Sequence, residues 1–238
     1  FYISVEKVKS VIEKKVESFF NKSSPKVIIM DALSAKATAS SKKIKIKKDA
    51  KFTNNDIEQL FNHEAMVHVA TTLNGRLQNN MKILGANYGR VTKTQEGLAV
   101  FAELITGCID INRMYRISDR VIAIQMAIDG ANFIEVYRFF LKRSKIKEQA
   151  FEDARRVFRG GVIKGGAPFT KDIVYLDGLV RVHNFLKIAV AKGRVDAVKI
   201  LFAGKIELDD IPILLKMKNE GLIEETRFLP NWVKDMNY

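Results

Sequence analysis

The stretch NHEAMVH, Asn62 to His68, constrains this chain more than any other, because it asks one helix to aim two histidines five residues apart. Residues four apart on an α-helix differ by about 40° around the axis, whereas residues five apart differ by about 140°. His63 and His68 can therefore share a ligand only if the helix between them is wound wider. A π-bulge, whose hydrogen bonds run i to i+5, brings His68 back beneath His63, and such bulges concentrate at functional sites. The competing reading is a pair of ordinary helix histidines. Only three histidines occur in 238 residues and two of them fall here beside Glu64, which tilts the balance toward a metal site.

A catalytic zinc takes three protein ligands, His/His/carboxylate among them, and keeps a position open. Two carboxylates are available in TQEGLAVFAE: Glu96 and Glu103 are seven residues apart, about 20° around a helix. One could ligate while the other orients a ligand from behind. Geometry leaves this choice open, and it equally allows Glu96 as a first-turn residue favoured by the helix dipole and Glu103 as a solvated one.

Elsewhere the pattern is mostly helical. Ile3, Val8, Val11, Ile12, Val16 and Phe19 fall on one side of a helix over residues 2–20. KVIIM (26–30) reads as a short buried strand and Ser34 to Ser41 as a loop. KKIKIKK (42–48) alternates as an edge strand does, with lysines guarding the edge. Thr53 to Asp56 offer caps for a helix through IEQLFNHEAMVHVATTL that closes before Asn74 and Gly75, and Thr94 offers one for QEGLAVFAELI. Helices are expected over 119–128, 131–142, 147–158, 173–193, 194–202 and 210–220, interrupted by RGGVIKGGAPFTKD (159–172) with its four glycines and a proline. The expectation is an α+β, predominantly helical fold: one domain over 1–238 with a small sheet on its N-terminal side. A start at Phe1 is compatible with a fragment that lacks its N-terminus.

Charge and cysteine content bound the rest. Forty Lys+Arg against 27 Asp+Glu give +13, which favours anionic partners. Cys108 is the sole cysteine, so an internal disulfide and a thiolate metal cluster are excluded, and a cytoplasmic location is expected. No apolar run approaches the ~20 residues that cross a bilayer, and no membrane association is expected. KKIKIKK lacks aromatic interleaving, so a solvated face is expected there and not nucleic-acid binding.

QEGLA, Gln95 to Ala99, resembles the signature of the QEGLA-motif family, which includes the eukaryotic microtubule-associated tyrosine carboxypeptidases. The resemblance covers NHEAMVH at 62–68, TQEGLAVFAE at 94–103, and FRGG with GGAPFTKDIVYLDG from Phe158 to Gly178; the flanks contribute little. It implies a gluzincin-like zinc metallopeptidase with one Zn2+ per chain, ligated by His63, His68 and Glu96, with Glu64 as general base. Glu103 is then left as the residue that orients a ligand. The expected reaction is release of a C-terminal residue, tyrosine or another aromatic, by attack of zinc-bound water on a peptide or protein C-terminus, an acidic one suiting the charge. Tyr175 is the first choice for oxyanion donor, against a plain core tyrosine. Arg159, Lys164 and Lys171 are candidates for the cation that binds the terminal carboxylate. A non-catalytic basic binding or regulatory protein that keeps the fold is the alternative. The oligomeric state is not legible.

Overall fold

Val5, Val8, Ile12, Val16 and Phe20 recur at steps of three and four, and they form the buried stripe of α1 (Val5–Phe20), capped by the Ser4 side chain. The structure, a computed structural model, describes residues 2–33 and 35–235. The chain packs as two compact units: residues 1–109 with 178–238, and residues 110–177. Ser34, where the expected loop begins, lies outside the described residues.

In the first unit α1 packs on a three-stranded sheet of β1 (Lys26–Met30), β2 (Ala37–Ala39) and β3 (Lys43–Lys47), in the order β1-β3-β2. Two expectations change here. Ala37 to Ala39, expected as loop, forms β2 and pairs antiparallel with β3. The lysine-rich segment is the central strand and not an edge, because β1 also pairs with it, in parallel. Alternation still holds, since Ile44 and Ile46 are buried beneath their lysine neighbours. Each fully buried isoleucine contributes about 1.5–3 kcal/mol relative to exposure, which is ample to set the strand's register.

A single helical run follows: α2 (Asn54–Leu60), a π-helix (Phe61–Val69) and α3 (Ala70–Leu77). It passes through Asn74 and Gly75, where a stop was expected. Both residues are buried, and Asn74 donates to the carbonyls of Phe202 and Phe228 at 2.9 and 2.8 Å and accepts from the Phe228 N–H at 2.9 Å. Its polar side chain therefore ties the helix to other segments instead of ending it. The next helix, α4 (Val91–Ile105), begins three residues before the expected Thr94 cap, and the Thr94 hydroxyl instead accepts the Leu208 N–H at 3.3 Å.

The second unit contains α5 (Ile111–Ile128), α6 (Phe133–Ser144) and α7 (Lys147–Val157), packed around Ile124, Val136, Phe140 and Val157. The glycine-rich segment after α7 is a shaped loop: Gly165 has φ +95°, and an added Cβ there would sit 2.4 Å from the Gly130 carbonyl oxygen. The chain returns to the first unit at Gly178, within α8 (Val174–Ala191), and continues through α9 (Val195–Ile200), α10 (Ile211–Asn219) and α11 (Asn231–Lys234).

Candidate metal centre

The helical run that carries the histidines is fixed at its start by a capping box. Thr53 Oγ1 accepts from the Asp56 N–H at 3.3 Å, and Asp56 Oδ2 accepts from the Thr53 N–H at 2.7 Å. Ala65, Met66 and Val69 then turn into the core with α1 and the sheet. The expected single-turn bulge is a nine-residue π-helix. Its wider winding brings the imidazoles of His63 and His68 together, with ring centroids 5.0 Å apart and planes at 80°.

Helix α4 brings the carboxylates. Glu96 Oε2 lies 3.6 Å from Nε2 of His63 and 3.6 Å from Nε2 of His68. Glu103, two turns on, lies behind His63, with Oε1 2.6 Å from Nδ1. Gln95 ties α4 to α3 through the Thr71 hydroxyl at 2.8 Å. The glycine of QEGLA has a steric reason: a Cβ on Gly97 would lie 2.1 Å from the carbonyl carbon of Gly178, so this pair of glycines lets two backbones touch.

Electrostatics around His63 are strong. Burial alone would push its imidazole pKa down, but the hydrogen bonds to Glu103 and Glu96 overcome burial and raise it to about 10. For Glu96, burial works against the charged form, yet His63 and His68 hold its carboxyl well below the usual carboxylate range. Without a metal, then, the site is an imidazolium between two carboxylates.

The three ligand atoms of His63, His68 and Glu96 lie within 4.8 Å of one another. Donors at about 2.0–2.1 Å around a tetrahedral zinc stand about 3.4 Å apart, so the 3.6 Å spacings fit such an ion. The donor set, two imidazole nitrogens and one carboxylate oxygen, is the kind that leaves a coordination position open. Glu64 is buried at 8% exposure next to His63, whose charge it stabilises. The site gathers five expected residues in one unit: His63, Glu64, His68, Glu96 and Glu103.

The remaining four expected residues belong to the second unit. Arg159 stacks its guanidinium 4.4 Å from the Phe169 ring centre, and Lys164 and Lys171 are exposed. Tyr175 is half-buried and accepts a hydrogen bond from Arg156, which also binds Asp172 in a two-pronged pair. His183, the third histidine, is exposed and faces Phe101 at 6.2 Å.

The family model for microtubule-associated tyrosine carboxypeptidase matches residues 2–238. The chain belongs to this family. The tyrosine carboxypeptidase match extends over the flanks as well as the central motifs, and so includes both units. Among curated proteins, none matches the chain. No helix among the described residues is long and apolar enough to cross a membrane.

One residue that sequence reasoning passed over stands close to Glu96. Lys205 is only 8% exposed and feels the charge of Glu96. GKIELDD carries no pattern that marks one lysine as buried, so the only sequence signal is the glycine before it.

Proposed function

We propose that this chain is a zinc-dependent carboxypeptidase that removes a C-terminal residue, tyrosine or another aromatic, from a peptide or protein. The observation that carries the reading is the convergence of His63, His68 and Glu96, with the Glu96 carboxylate 3.6 Å from each imidazole, beside buried Glu64 in a chain of a carboxypeptidase family. Zinc bound there supplies a Lewis acid that polarises the scissile carbonyl and lowers the pKa of a bound water toward ~7.

The protein's own groups do the rest. His63, His68 and Glu96 contribute one negative charge against the ion's two positive ones, leaving about +1 to act on the substrate. Glu103 fixes His63 with Nε2 turned to the ligand side. Glu64 takes the proton of the attacking water and delivers it to the leaving amine, so that one carboxylate serves both halves of the reaction.

Zinc-loaded and chelator-stripped protein, assayed on peptides varied at the C-terminal residue, test the reading. Cleavage is expected only with zinc, only at the last bond, and about 10²–10⁴-fold slower in Glu64→Gln. Zinc retained at one per chain without hydrolysis of any peptide would instead favour a binding or regulatory protein.

A further inference from the structure

An ammonium is seldom kept in a protein interior unless it is paired, and among the described residues Lys205 has no carboxylate partner. Its place is set by backbone packing. The Lys205 N–H donates to the Leu84 carbonyl at 2.7 Å, and a Cβ on Gly204 or on Gly75 would lie 2.6 or 2.2 Å from that same carbonyl oxygen. Further along, Leu208 is bonded to Thr94, two residues before Glu96 in α4. All these segments belong to the first unit.

The Lys205 ammonium donates to Asn87 Oδ1 at 2.5 Å, a neutral partner, and among the described residues it forms no ion pair with a carboxylate. Burial pulls its pKa below the usual lysine value; attraction from Glu96 opposes this and repulsion from Arg76 adds to it. Arg76 also forms no ion pair among the described residues. Once Glu96 is committed to a metal, Lys205 is left near it, with Arg76 close to Lys205, and among the described residues neither cation has a carboxylate of its own.

We propose that Lys205, backed by Arg76, receives the terminal carboxylate of the substrate. This rests on the carboxypeptidase reading above and gives it the cation that separates an exopeptidase from an endopeptidase. The incoming carboxylate supplies the missing counterion, and the Asn87 amide nitrogen offers a second donor.

The test compares an acetylated dipeptide ending in tyrosine with its C-terminal amide, binding to zinc-loaded Glu64→Gln protein in a calorimeter. The acid is expected to bind at least about tenfold tighter than the amide, the scale of one charge-assisted contact. Lys205→Met and Lys205→Gln are expected to bring the two within about twofold while leaving the amide's affinity unchanged. Replacing an unpaired buried charge by an apolar chain of similar shape is rarely costly, and Lys205→Gln keeps a hydrogen-bonding group for Asn87. Arg76→Glu, on the exposed neighbour, gives Lys205 an internal carboxylate and must also lower the preference. An acid preference unchanged in these variants, or absent from the start, overturns the proposal. Hydrolysis by protein with Glu64 intact separates the two readings. Cleavage with an unchanged acid preference removes the Lys205 site alone; no cleavage with a Lys205-dependent preference removes the peptidase reading alone.

Discussion

Glu103 is wholly buried and sets its Oε1 2.6 Å from Nδ1 of His63, while Oε2 accepts the Gln59 amide at 2.9 Å. A carboxylate so placed fixes the tilt of the imidazole before any metal arrives and leaves Nε2 as the ligating nitrogen once the ring gives up a proton. Partners of this kind are typically worth 10–100-fold in metal affinity. Glu103→Ala is therefore expected to weaken zinc binding by about that factor, measured against a competing chelator. Glu103→Gln, which keeps a hydrogen-bond acceptor in place, should lose less. Equal affinity in all three proteins would mean that His63 is oriented by something else.

The same contact makes the metal-free protein sensitive to pH. Burial works to lower the His63 pKa, and the hydrogen bonds to Glu103 and Glu96 outweigh it and raise the value to about 10. A raised pKa stabilises the fold fully below the unfolded value of about 6.5 and ceases to do so as pH climbs through about 10. Chelator-stripped wild type should thus melt progressively closer to His63→Gln between pH 6 and pH 10. Zinc requires the neutral ring, so uptake at pH 8 is expected to release about one proton per ion. Calorimetry in buffers of different ionisation enthalpy reads that number, and a value near zero would contradict the bridging imidazolium.

How much of this was legible in the sequence varied with the range of the interactions involved. The wide helix was legible because His63 and His68 cannot converge otherwise, and that argument needs only helical geometry. The choice of Glu96 over Glu103 came only from the QEGLA resemblance and not from helical geometry, since both point the same way from α4; the position of the facing imidazoles is what separates a partner of two nitrogens from a partner of Nδ1. Strand β3 was recognisable from Ile44 and Ile46, but whether a strand is central depends on neighbours, and Ala37 to Ala39 carries no alternation to announce one. Asn74 and Gly75 look like a helix stop in one dimension. In three they are an interior crosslink and a close-approach point, which local propensity cannot encode. Lys205 was hidden for the same reason.

Gly97 immediately follows Glu96, and its missing Cβ admits the Gly178 backbone at a separation no other residue tolerates. Gly97→Ala must push the two segments apart, with an expected cost of at least about 1–3 kcal/mol from overpacking. Glu96 would move with its backbone, so metal affinity should fall together with stability. Denaturant melts with and without zinc distinguish this from a purely structural loss. If the stability difference between Gly97→Ala and wild type is the same in both, Glu96 has kept its place.

Asn74 gives a prediction about the scaffold alone. Its side chain makes three bonds, to the carbonyls of Phe202 and Phe228 and from the N–H of Phe228, and all of these are buried. Asn74→Ala deletes the partner and leaves those backbone groups in the interior, where each unsatisfied group costs about 1–3 kcal/mol. A loss of at least ~2 kcal/mol is therefore expected in a chelator-stripped denaturant melt. Asn74→Asp separates bonding from shape: it keeps the acceptor for the Phe228 N–H but faces two carbonyl oxygens with negative charge. It should be at least as destabilising as alanine at neutral pH and recover as pH falls and the acid regains a proton to donate. A melt that does not change with pH in Asn74→Asp would show that the carbonyls are satisfied by other means.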